Sequence, residues 1–208
     1  MSSIPASLPS PELALHPSDQ TLFISALRRV ALPGLFAWFG VVMGSWAGRI
    51  PALREGVQVS HQMLSMVLLC GGLGAVLSFP VSSRLIAHVG GRHTMLISGA
   101  TLLLVLLGIG CAPSVPLLML AVLMLGITAS SFDVGMNSVA AHHEKMTGTS
   151  AMSMLHAWAC AGGLGGAAIG SVMAGLGISP AMHFLMLALP LALMLTLGHA
   201  YVTADSGE

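Results

Sequence analysis

Charge is what this 208-residue chain has least of. Asp, Glu, Lys and Arg together make up 7% of it and cancel to a formal net charge of zero, where a soluble domain carries about 25% charged residues. A soluble globular class is thereby excluded. With no basic block and only 5% aromatic residues, nothing points to nucleic acid or to a peripheral amphipathic anchor. Cysteine is sparse as well: Cys70, Cys111 and Cys160 lie far apart in apolar stretches, without CxxC spacing. They read as small buried hydrophobes, and neither a metal nor a cofactor is expected. The opening stretch MSSIPASLPSPELALHPSDQ holds four prolines and no Lys or Arg, so it lacks the basic region of a secretory signal. Residues 1–27 are expected to form a disordered cytoplasmic tail, and residues 203–208 a polar one.

Hydrophobic residues take up the room that charge leaves, at 55% of the chain and a mean hydropathy of +0.91. The implied environment is a lipid bilayer, and the implied class an all-α membrane protein. A helix crossing a ~30 Å hydrocarbon core needs about 20 mostly apolar residues. Six stretches within residues 28–202 qualify, at about 30–50, 62–84, 94–112, 115–138, 150–177 and 181–202. Turn chemistry separates them at IPALREGVQVS, HVGGRH, APSVP, HHEKMTGT and GISP. If the spans alternate, Arg28, Arg29, Arg84, Arg92 and Lys145 share one side, against Arg49 and Arg54 on the other. That bias puts both termini in the cytoplasm.

Small residues recur four apart, at Gly40, Gly44 and Gly48 and again at Gly162, Gly166, Gly170 and Ala174. Such stripes let helix backbones approach closely in lipid, as fixed packing or as a mobile contact. Enzyme signatures are missing. HHEK begins like a zinc helix, but Thr147 stands where the second His belongs, and there is no nucleophile elbow, P-loop or carbonyl filter.

The polar residues inside spans are the remaining candidates. Asp133 lies about 17 residues beyond Pro116, ~25 Å along its helix and so near the inner boundary. An Asp at the bilayer centre would cost about 3 kcal/mol, less at this depth and with a partner. Asn137 follows at i+4 on the same face. His156 enters the next span at a similar depth, either as a structural hydrogen-bonder or as part of an inner polar cluster. Asp133 itself is either a clamp to Arg92, Arg84 or Lys145 or a substrate or proton site. In the first span Trp46 and Arg49 are three apart; Trp46 is an interfacial anchor or a cavity wall, and Arg49 snorkels outward or joins it. Their distance into span one matches that of Asp133 into span four, as a three-plus-three inverted repeat would give.

GSWAGRIPALREGVQVS, SRLIAHVGGRHTML, DVGMNSVAAHHEK and SMLHAWACAGGLGGA together resemble the N-terminal six-helix half of a major facilitator superfamily transporter, most nearly the YbjJ-type bacterial inner-membrane proteins near the fucose-permease group. The similarity covers residues 30 to 200. It implies secondary active transport of a small polar solute, alone or with protons, with no enzymatic activity, from the bacterial inner membrane. The superfamily's loop between spans two and three usually reads Gly-x-x-x-Asp-Arg-x-Gly-Arg. Gly90 and Arg92 keep their places here, while Ser83, Ala87 and His88 replace the first Gly, the Asp and the first Arg. Arg92 then lacks its usual acid, and Asp133 is a candidate replacement. The resemblance also implicates Glu144, Ser153 and Gly163 beside Asp133, Asn137, His156, Gly162 and Gly166. Six spans are half of the superfamily's fold. A homodimer or a separate C-terminal half would supply the remainder; the rival reading is a truncated or accessory membrane protein without transport of its own.

Overall fold

The computed structural model describes residues 17–202. Five helices follow one another: α1 (Pro17–Gly56), α2 (His61–Gly110), α3 (Val115–Thr147), α4 (Met152–Gly175) and α5 (Pro180–Val202). All five hold stretches long and apolar enough to cross a membrane, and no strand occurs among the described residues. Residues 1–16 and 203–208 of the expected tails lie outside the described part. Residues 17–27, expected in the N-terminal tail, are instead the start of α1. Pro17 stands at the first helical position, where its fixed φ suits a helix and its missing N–H costs nothing.

The expected spans 62–84 and 94–112 fall in one 50-residue helix, α2, broken at Gly90 with φ 75° and ψ 165°. That conformation is essentially reserved for glycine. The break turns the chain back. Before it, Gly71 and Gly74 lie against Val122 and Leu123 of α3, and Ser82 donates to Ser131 over 2.9 Å, so both helices run the same way. After it, Gly91 lies against Ser138, Gly99 against Phe132, and Gly110 against Ala181 at the start of α5. The second arm therefore runs opposite to α3.

The helix α3 also outruns its expected end at 138. HHEKM stays helical, and the chain turns only at Gly148, whose left-handed φ of 69° caps the helix. At the other end, Ser114 is the extended N-cap and Pro116 sits in the first turn. APSVP is thus a true break: Ser114 is extended, and Pro116 sits in the first turn of α3, where its missing N–H has no helical partner to lose.

The small-residue stripes face each other along α1 and α4. A Cβ on Gly166 would strike the Val41 carbonyl, one on Gly162 the Ala37 carbonyl, and one on Gly44 the Gly163 carbonyl. Farther along, Gly48 and Gly170 meet, a Cβ on Gly170 lying 3.3 Å from the Gly48 Cα. The two helices run parallel at backbone contact, which only residues without side chains permit. Packed beside them, α5 runs antiparallel to α1: Leu35 fills the space beside Gly198, and the buried Trp38 indole donates to the Leu191 carbonyl at 2.6 Å.

Between the helices lies a core of large apolar side chains. Trp38 and Phe39 both pack on Phe132, with centroids 4.8 and 5.4 Å apart, and Met95, Leu102, Leu106 and Met136 are fully covered. The outer faces are equally apolar, with Leu189 79% exposed and Leu164 76% exposed. Such a surface suits lipid rather than water. The cysteines also depart from expectation: Cys111 and Cys160 are exposed and only Cys70 is half-buried.

Candidate functional site

One cavity of about 410 Å³ opens among α1, α2 and α3. Phe39, Met43 and Trp46 line it from α1; Leu68, Gly71 and Ala75 from the first arm of α2; Val122, Leu125, Gly126, Ala129, Ser130 and Asp133 from α3. Each set follows the three-and-four spacing of a helix face, so all three helices turn one stripe inward. Gly71 and Gly126, both in the lining, let α2 and α3 approach at backbone distance.

Asp133 is half-buried at one end. The Asn137 amide donates to its carboxylate Oδ1 at 3.0 Å and to its backbone carbonyl at 2.9 Å, which fixes the carboxylate's orientation one turn before Asn137. His156 of α4 lies close enough to interact electrostatically with Asp133, its ring set edge-on against Phe36 at 5.5 Å. Phe39 stacks on Phe132 beside this group. Trp46, two turns further along α1, is ~10 Å away, so the buried indole and the carboxylate stand toward opposite ends of one cavity. Because α3 continues to Thr147, Asp133 sits near the middle of its 33-residue helix, still 17 residues beyond Pro116.

Other expected site residues are placed elsewhere. Arg49 does not line the cavity. Its fully buried guanidinium points toward α4 and α5, where Nη1 donates to the Gly170 carbonyl at 3.4 Å and Nη2 to the Ile178 carbonyl. Three residues separate it from Trp46, a turn of about 300°, and in this bundle that suffices to put the two on different interfaces. Arg92 does not clamp Asp133: its Nε donates to His199 Nε2 of α5 at 3.1 Å. The turn at Gly90 carries Arg92 to the α5 side, whereas Asp133 faces α1. Glu144 caps the next helix, its Oε1 accepting from the backbone N–H groups of Ala151 at 2.5 Å and Met152 at 2.7 Å. Since Ala151 offers no side chain of its own at the N-cap of α4, the carboxylate supplies the acceptor and complements the helix dipole.

The chain is similar to two bacterial transporters. It is 34% identical over 167 residues to an uncharacterized transporter of Sinorhizobium fredii, an alignment covering 78% of this chain and 44% of that protein. It is 29% identical over 169 residues to an uncharacterized MFS-type transporter of Yersinia pestis, covering 81% and 44%. The chain thus spans less than half the length of these relatives. No family model matches it.

Sequence reasoning overlooked several cavity residues, Phe39, Met43 and Ser130 among them. Their signal was present, since Phe39, Met43 and Trp46 stand at i, i+4 and i+7 and Ser130 stands three before Asp133. His183 and His199 carried none. His183 is fully buried beside Phe184, and neither its ring nitrogens nor Arg49 Nε has a hydrogen-bond partner among the described residues. The pairing of His199 with Arg92 spans 107 positions, beyond the reach of any local pattern.

Proposed function

We propose that this chain is part of a secondary active transporter of the major facilitator superfamily, moving a small polar solute across a bacterial inner membrane. Its similarity to a transporter and to an MFS-type transporter over about four fifths of its length supports that class. The observation that carries the reading is the Asp133 cavity. A carboxylate in a membrane helix is expensive unless it faces a cavity or a partner, and this one does both. In this reading the chain crosses the membrane six times, α2 counting as two crossings either side of Gly90, with both termini in the cytoplasm and the helices related as three plus three. Trp46 contacts the solute toward the outer end, while Asp133, Asn137 and His156 handle it, or a coupled proton, further in. Because α4 and α5 contribute no lining residue, a second six-helix body, another copy or a separate half, would complete the enclosure.

Reconstitution into proteoliposomes with whatever body completes it, under an imposed proton gradient, tests this. A panel of radiolabelled hexoses, amino acids and organic ammonium ions should include at least one that accumulates, and Asp133→Asn should abolish that accumulation. Accumulation unchanged in Asp133→Asn would remove Asp133 from the mechanism. No uptake of any solute would favour an accessory protein without transport of its own.

A further inference from the structure

The solute class can be narrowed from the chemistry of the cavity wall, given the transport reading above. Asp133 is the one ionisable side chain among its lining residues. Asn137 occupies Oδ1, and the other carboxylate oxygen has no hydrogen-bond partner among the described residues. His156, the other titratable group acting on Asp133, does not line the cavity. A negative charge in an apolar recess attracts a cation and repels an anion, more strongly there than in water. The rest of the wall agrees. Phe39 and Trp46 line the wall with aromatic rings, a residue type that attracts cations, and Met43 adds an adaptable thioether. A sugar would need a hydrogen-bond partner for each buried hydroxyl; beyond the carboxylate, side chains here supply only the Ser130 hydroxyl and the Trp46 indole N–H. At about 410 Å³ the cavity falls in the ~300–1,000 Å³ range of small-molecule sites.

We propose that the cavity binds an organic cation with an apolar body, its ammonium against Asp133 and its apolar part along Phe39, Met43 and Trp46. The discriminating pair is phenethyltrimethylammonium and its uncharged tert-butyl analogue, 3,3-dimethylbutylbenzene, equal in shape and differing in charge. Binding of each, and of glucose, is measured to the chain in nanodiscs together with the six-helix body that completes it, with empty nanodiscs subtracted. The cation should bind about tenfold or more tighter than the uncharged analogue, and glucose should not bind. Asp133→Asn preserves the acceptor for Asn137, so it should fold and bring the two analogues to near parity. Asp133→Glu should keep the preference, and Trp46→Ala should weaken both analogues. Equal binding of the two by the unaltered chain, or a preference untouched by Asp133→Asn, overturns the proposal. Glucose binding lost in Asp133→Asn would overturn it while leaving the transport reading intact. Binding of none of the three overturns it as well, and the proteoliposome panel then decides separately whether the transport reading stands.

Discussion

Glu144 shows how one side chain can join two elements. Both of its hydrogen bonds to backbone N–H groups use Oε1, so the geometry demands an acceptor at that atom and the charge adds its attraction to the N-terminus of α4. Glu144→Gln keeps the acceptor and should melt close to the unaltered protein in detergent. Glu144→Ala leaves two N–H groups without their partner and should melt distinctly lower; equal melting of all three proteins would show that the cap contributes nothing. The need for some partner was not readable from the sequence, because Ala151 gives no sign of being an N-cap and the carboxylate comes from seven residues earlier. Asp133 is the opposite case. Its charge in an apolar run announced it, and Asn137 at i+4 followed from helical spacing alone. What remained hidden was which way α3 faces, and that decided between Arg92 and the cavity.

At the scale of elements, the apolar runs and the turn residues between them located the body of each helix, though α1 begins at Pro17 rather than near 30 and α3 continues to Thr147 rather than 138. HVGGRH was legible as a break but not as a single non-helical glycine, because a Gly pair is compatible with either. The glycine stripes were legible as packing surfaces, whereas their pairing of α1 with α4, distant in sequence, came only from the three-dimensional arrangement. The close contact has a measurable consequence. Gly166→Val places branched carbons where the Val41 carbonyl stands and within 2.9 Å of the Ser45 amide. The helices must separate, at a cost of about 1–3 kcal/mol typical of overpacking. Thermal unfolding in detergent should register that loss, while Gly165→Ala, whose Cβ would meet nothing within 4 Å, should not. Equal melting of the two variants would show that the backbone contact at Gly166 does not govern this face, since both substitutions raise helix propensity.

For the whole molecule, the handedness of the chain through the membrane depends on how α2 is counted. Arm one runs with α3 and arm two against it, so a bilayer enclosing α3 should be crossed twice by α2. The connection at residues 57–60 and that at 111–114 would then open on the same side, with Gly148 on the other. Were α2 a single crossing, those first two connections would lie on opposite sides. The difference can be read with thiols. Cys111 is already exposed at the second connection, and Gln58 is exposed in the first, where a side chain already occupies the left-handed φ of 51°. In a background of Cys70→Ser and Cys160→Ser, a membrane-impermeant maleimide applied to intact cells should label both Cys111 and Gln58→Cys. Gly148→Cys would distort the left-handed cap, so Thr149→Cys is the better inner reporter, and it should label only after permeabilisation. Labelling of Cys111 and Gln58→Cys from opposite sides would reduce the chain to five crossings, place the two termini on opposite sides of the membrane, and break the proposed three-plus-three relation of the helices.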